Sequence, residues 1–291
     1  MNCDVCSAEF AESDLIAIEG RQVCGGCKPL VLQQLREGVL TPMVDLSGML
    51  RAERELGFGE LLATTWTAFA KDWVTIITLT LLVALPANFI LAALEPGEDA
   101  SLRDVGRYLR TVWNLEMVIG VFAVLGIAYT VSERLEGRAA TLGAALTHAA
   151  RRYFAGLWTG LLASVILGLL TLALIVPGIM WFNYYAFATC VVSLRGVAGL
   201  RALGLSKAIV KGRWWNVALK LIGLTVLVLI PSALVAVPLA FAPDSAAITF
   251  LGDVVIDLVC SFATVGTTVL FLNLEAVDRF TGRGVPAQPG N

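Results

Sequence analysis

Histidine is almost absent: His148 is the single one in 291 residues. That shortage removes most imidazole chemistry, and the chain shows no Ser/His/Asp set and no HExxH helix. It also lacks a Walker loop and a dinucleotide fingerprint, so nucleotide chemistry has no signature either. An enzyme is not expected. Charge is scarce as well, with 15% charged residues against 57% hydrophobic ones and a mean hydropathy of +0.79. A soluble domain of this length has no use for so much apolar surface, which points to a bilayer. No secretory signal opens the sequence, since Met1 leads straight into Asn2-Cys3-Asp4 and the first long apolar run begins near Trp73. The amino terminus is therefore expected to stay in the cytosol.

What the chain does have is apolar runs of helical length. About 20 residues of helix cross a hydrocarbon core of about 30 Å. Runs of that order stand at 73–94, 112–131, 156–176, 178–194, 221–242 and 248–274. The fold class expected is an all-α polytopic membrane protein with six transmembrane helices. The run 178–194, bounded by Pro177-Gly178 and Arg195, is short enough to be read alternatively as half of a re-entrant pair. Orientation follows from the basic residues. With the amino terminus inside, the inner loops hold Arg134, Arg138, Arg151 and Arg152, then Arg195, Arg201, Lys207, Lys211 and Arg213. The outer connections hold only Arg103, Arg107 and Arg110, offset by Glu95, Glu98, Asp99 and Asp104. Both termini are expected in the cytoplasm, in a bacterial inner (plasma) membrane. Trp73, Trp113, Trp158, Trp181 and Trp214-Trp215 fall near span ends and read as interfacial anchors.

The odd-numbered spans share a leader. Segments 57–72, 141–155 and 199–213 each open near a glycine (Gly59, Gly143, Gly199), run at helical spacing, and end by a tryptophan that starts the span. We expect three repeats of interfacial helix plus hairpin over 57–278, followed by a flexible tail, 279–291. The third leader is the most basic. Arg195, Arg201, Lys207, Lys211 and Arg213 are placed to meet anionic lipid headgroups, unless they form a plain solvated loop.

Around that leader the text reads Pro177-Gly178, Tyr184-Tyr185-Ala186-Phe187-Ala188, Gly199-Leu200-Arg201-Ala202-Leu203, Ser206, and Lys211-Gly212-Arg213-Trp214-Trp215. These residues resemble the membrane domain fused to some bacterial glycerophosphoryl diester phosphodiesterases, and its stand-alone six-helix relatives. The resemblance is specific over 177–215 and architectural over the rest of 57–275. No phosphodiesterase domain accompanies it, so it implies a membrane module and carries over no catalytic residue.

Ahead of the membrane region, Cys3, Cys6, Cys24 and Cys27 form two CxxC knuckles with 17 residues between them. Four thiolates at this spacing fit one tetrahedral metal site, a zinc ribbon over 1–37. Between the knuckles, Leu15-Ile16-Ala17-Ile18 alternates like a strand and Glu19-Gly20 reads as a turn. Gly25 and Gly26 are expected to take backbone conformations that a side chain would resist. Lys28 to Gly38 reads as a short helix, and a leader ending in Cys-Lys-Pro resembles those that precede other bacterial membrane domains such as the RDD type. One structural zinc ion is the expected cofactor, ahead of a redox dithiol pair or an iron site, and a closed shell of four thiolates leaves no position for substrate. Residues 1–37 carry six acids against three bases, which disfavours nucleic acid. The head is expected to dock a protein partner, with 38–56 as linker, and a homo-oligomer is also allowed.

Three carboxylates interrupt the spans. Asp253 and Asp257 lie four apart on one face of the sixth, and Glu116 stands near the start of the second. Their convergence would make an ion or proton site. The plainer reading begins the sixth span near Val254 and leaves Asp257 one turn inside, where water reaches it; no lysine or arginine lies deep in a span to pair with them. Cys190 and Cys260 read as small buried apolar groups, and His148 as a solvated surface residue. The leading function expected is a non-catalytic membrane scaffold with a docking head. The alternatives are a small-solute or ion transporter using the carboxylates, and a lipid-headgroup-associated factor.

Overall fold

A computed structural model of the protein describes residues 15–18, 21–28, 54–94, 101–239 and 246–281. Contacts divide the chain into two units, Met1–Met49 and Leu50–Asn291. In the first unit, the alternating stretch forms strand β1, Leu15–Ile18, paired antiparallel with β2, Arg21–Cys24. The register sets Leu15 opposite Cys24 and Ile18 opposite Arg21. Val23 is buried, while Ile16, its register partner on the same face, is exposed. Cys3, Cys6, the expected turn at Glu19-Gly20, the helix after Lys28, residues 38–53 of the linker and the tail from 282 lie outside the described residues.

The second unit is helical. Its elements are α1 Phe58–Ala93, α2 Leu102–Leu115, a π-helical turn Glu116–Gly120, α3 Val121–Leu135, α4 Leu142–Ala173, α5 Ile175–Tyr185, α6 Ala188–Arg195, α7 Leu200–Val210, α8 Trp214–Leu239 and α9 Ala246–Phe280. Among the described residues five helices are long and apolar enough to cross a membrane: α1, the α2–π–α3 rod, α4, α8 and α9. The count reaches six if the pair Met180–Arg195 and Leu200–Val210, bent by 116°, makes one span. Large apolar side chains point outward all along these helices, with Phe89 70% exposed, Leu172 86% and Leu234 71%. Helices of a soluble bundle would turn such residues inward, whereas lipid accepts them.

The expected leaders meet three different fates. In α1, Asp72 leaves helical geometry (φ −118°, ψ 21°), so the helix bends one residue before Trp73. The segment ahead of the bend packs on α9, with the Phe69 and Phe262 rings 5.7 Å apart, and its end pairs through Asp72 with Arg134 of α3. It thus bridges two helices of the bundle. In the second leader, α4 runs without a break from Leu142 to Ala173, about 48 Å of helix, longer than a bilayer core needs. The third leader is a separate helix, α7. The first outer connection also differs from a loop: Arg103, Arg107 and Arg110 sit on α2, which continues into the span.

Between α4 and α5 the chain turns on one extended residue, Leu174 (φ −158°, ψ 128°), three residues before the expected Pro177-Gly178 boundary. Pro177 is thereby in the first turn of α5, where a missing N–H leaves no hydrogen bond unmade. A Cβ on Gly178 would come 2.4 Å from Thr171 Oγ1, so the helices approach this closely only because position 178 is glycine. The expected fourth span is broken at Ala186-Phe187. Ser206 of α7 mends the break: its hydroxyl donates to Tyr184 O (2.7 Å) and accepts from Phe187 N–H (3.2 Å).

Candidate functional site

Charged side chains collect where the C-terminal ends of α3, α6 and α9 meet the N-terminal end of α8. Arg134 forks onto both oxygens of Asp72. Arg195, the last residue of α6, pairs with Glu275 of α9, and Arg279 reaches the other Glu275 oxygen at 3.1 Å. Arg213 is 8% exposed and pairs with Asp278, with Glu55 (3.2 Å), and through Nε–H with the Ile209 carbonyl (2.7 Å). Glu55 also meets Asn216 and Lys220, the latter at 3.8 Å. Beside it, Leu56 N–H donates to Asn273 Oδ1 at 3.0 Å. Buried charges are costly unless paired and hydrogen-bonded, so the Arg134–Asp72, Arg195–Glu275 and Arg213–Asp278 pairs each lock two elements together with little tolerance for losing a partner, whereas Arg279–Glu275 lies within α9.

This geometry changes the reading of the basic segment 195–213. Arg195 and Arg213 turn inward into ion pairs instead of outward. Lys207 lies over the Trp181 ring, 4.0 Å from its centroid. Arg201 and Lys211 are exposed. Among the described residues, an anionic headgroup therefore has two cations with no ion-pair partner to meet, Arg201 and Lys211, and a third already resting on an aromatic face. Trp214 ties α8 to α5: Asn183 Nδ2 donates to Trp214 O (3.0 Å) and Trp214 Nε1–H to Met180 O (3.2 Å).

The intramembrane carboxylates do not sit alike. Asp253 is exposed. Asp257 is half-buried, and its Oδ2 accepts from Asn88 Nδ2 at 2.8 Å. A neutral amide on α1, not a cation, is its partner. The 18 residues from Asp257 to Glu275 span about 27 Å of α9, which places Asp257 close to the far edge of a hydrocarbon core from the ion pairs. Asp257 and Asn88 line a cavity of about 250 Å³ between α1, the π turn with α3, and α9. Glu116 opens the π turn, whose Ile119 and Gly120 line the same cavity; its side chain lies outside the described residues. Cys260 is exposed on the cavity wall, unlike the buried position expected of it, whereas Cys190 is buried near Thr268. Pro86 interrupts α1 beside cavity residues Ala84 and Ala87, yet the helix carries on through it.

His148 is not a solvated residue. Its ring stacks on Tyr129 at 4.4 Å, and Nε2 lies 2.9 Å from Ser193 O and 3.2 Å from Ser193 Oγ. A carbonyl only accepts, so Nε2 carries the proton, and the Ser193 hydroxyl donates to Leu125 O (2.9 Å). A base that activates this serine would need the reverse arrangement. The pair ties α4 to α6 and α3.

At the second knuckle, Cys24 ends β2 and is buried, Cys27 is half-buried, and Cys27 N–H closes a turn on Cys24 O at 3.0 Å. A Cys-x-x-Cys turn on a hairpin end suits two corners of a tetrahedral thiolate site. Neither Gly25 nor Gly26 adopts positive φ, and among the described residues nothing lies within 4 Å of a Cβ built at either. No group of three or more metal-ligating residues occurs among the described residues, which exclude Cys3 and Cys6.

Together these features define a class: a helical unit with five, or up to six, membrane-length apolar helices, closed at one end by buried ion pairs. Comparison with protein-family models, with curated proteins and with solved structures finds no match.

Proposed function

We propose that this chain is a non-catalytic, multi-pass scaffold of the bacterial inner membrane, whose amino-terminal cysteine head holds one structural zinc ion and docks a cytosolic protein. One observation carries the reading: the chain joins the helical unit through a fixed joint. Glu55 is held by Arg213, Asn216 and Lys220, and Leu56 by Asn273, so residues 55–57 cannot swing freely. An anchored start to the helical unit gives a docking head a defined point of attachment. Cys3, Cys6, Cys24 and Cys27 would hold the metal, which acts as a cross-link for a segment too short to fold on its own core. The test is crosslinking and pull-down with the full chain, a form lacking residues 1–37, and Cys24→Ser. The reading expects one protein captured by the full chain and lost from both variants; capture that ignores both changes would overturn it.

A second reading, a path for an ion or small solute, is supported by the Asp257–Asn88 pair on a cavity wall. Asp257→Asn should then abolish flux in proteoliposomes while insertion is normal. Glu116 and Asp253 stay candidates for the same route. Headgroup association through Arg201 and Lys211, helped by Lys207, is the surface counterpart implied by the family resemblance.

A further inference from the structure

The cavity at Asp257 has a shape and charge that the scaffold reading does not use. Its walls come from three helical stretches: Thr80–Leu91 of α1, Leu115–Ile127 through the π turn, and Asp257–Thr264 of α9. Small side chains, Ala84, Ala87 and Ala123, leave the space open. A π turn adds a residue to the rod at this level, a distortion that often accompanies functional sites. Over 80–91 the cavity extends about 16 Å along α1. Asn88 and Asp257 stand toward one end and Thr80, Thr264 and Ile127 toward the other. At about 250 Å³ it has room for about eight waters' worth of liquid volume.

We propose that this cavity binds a small monovalent organic cation with an apolar body, such as an alkyl- or arylammonium. Among the described lining residues the charge is a single carboxylate, Asp257. One of its oxygens takes the Asn88 amide and the other remains available as an acceptor. Among the described lining residues none is basic, so an ammonium group meets attraction without competition. The rest of the lining is mostly aliphatic, with Ser261, Thr264 and Thr80 as its hydroxyls, and this accepts a hydrocarbon or aryl body. An acyl chain would fill the apolar part and leave Asp257 with no counter-charge; a hydrated metal ion would satisfy Asp257 and waste the apolar wall. The inference deepens the second reading above, and it concerns binding, so it is measured apart from flux.

The probe is radiolabelled benzyltrimethylammonium, titrated onto the full chain in lipid nanodiscs, with unlabelled neopentylbenzene as the neutral competitor of the same shape. Saturable binding is expected, displaced by excess unlabelled cation and not by the neutral isostere. Asp257→Asn should weaken it at least tenfold, and Ala87→Leu, which fills the cavity and keeps the carboxylate, should do the same. Asp104→Asn, a carboxylate on α2 outside the lining, should leave it unchanged. Absence of saturable binding by the wild type overturns the proposal, as does binding that survives Asp257→Asn or is displaced by neopentylbenzene. If Asp257→Asn does not insert, Ala87→Leu decides: undiminished binding refutes the site. Binding without flux in proteoliposomes would sink the transport reading and leave this one standing.

Discussion

Removing the guanidinium of Arg213 is the sharpest stability test of the ion-paired end. Its three polar contacts join the 55–57 segment, α7 and α9 in one place, and the side chain is almost wholly buried. Arg213→Met keeps much of the volume and removes the charge. Glu55 would retain Lys220 at 3.8 Å and Asn216, but Asp278, 4% exposed, loses its guanidinium partner. Removing one member of a buried pair costs about 3–5 kcal/mol, because the remaining charge stays desolvated. Glu55 keeps Lys220 and Asn216, so the cost falls on Asp278 alone and about 3 kcal/mol, the low end, is expected here. If the cost is the buried carboxylate losing its guanidinium, then Arg213→Met with Asp278→Leu should recover most of it, since an apolar pair of similar volume is often neutral or better. The control is Arg201→Met on the exposed face of the neighbouring helix, expected within about 0.5 kcal/mol of wild type. Thermal unfolding of the protein in nanodiscs, followed by tryptophan fluorescence and checked by denaturant titration, reads all four forms. A single mutant within about 1 kcal/mol of wild type would refute the argument, as would a double mutant no better than the single.

Gly196 takes φ +68° to end α6, and a Cβ there would meet the Arg152 guanidinium at 2.6 Å; Gly196→Ala should destabilise by about 1–2 kcal/mol in the same melts. Arg138 makes two ion pairs, with Glu133 and Glu136, but is largely exposed, so Arg138→Ala should leave the melting curve where it was, in contrast to Arg134→Ala at the buried Asp72. Cys24→Ser should remove bound zinc, read as metal-to-protein ratio by atomic absorption, and make residues 1–37 protease-sensitive while the helices stay inserted; a full zinc complement in that variant would exclude a four-thiolate site. Replacing Arg201 and Lys211 by glutamine should weaken floating with anionic-lipid vesicles at low salt, and no difference at any salt would remove the headgroup contact.

How much of this was legible follows from which forces act along the chain and which act across it. Apolar length is a local property, so the five long helices fall where uncharged runs stand, and the alternating Leu15–Ile18 becomes a strand. The bend at Asp72 was signalled too, because an aspartate at the foot of an apolar run seldom continues inward. The break at Ala186-Phe187 was not: nothing in Tyr184-Tyr185-Ala186-Phe187 stops a helix, and it stands because a hydroxyl twenty residues later, on Ser206, supplies the missing partners. In the same way, an unbroken α4 follows from a leader that contains no helix-stopping residue, so a pattern set by glycine and tryptophan positions overstated the likeness of the three copies.

The charges show the limit most clearly. Counting Lys and Arg by loop treats each cation as facing water or lipid, which hides the acids that neutralise them. Asp72, Glu275 and Asp278 lie at the ends of apolar runs, the same depth as Arg134, Arg195 and Arg213, and that coincidence of depth was the available signal. Once it is used, the number of cations left for headgroups on 195–213 falls from five to the exposed Arg201 and Lys211, with Lys207 over Trp181 as a third. Asp257 repeats the lesson with the opposite sign. No lysine or arginine stands deep in a span to meet it, yet Asn88 was already visible as a polar residue in the first span, and α1 and α9 bring the two together. An amide leaves the carboxylate's charge uncompensated, where a lysine would have cancelled it. That difference is why the ion-paired end reads as architecture and the cavity end as a binding site.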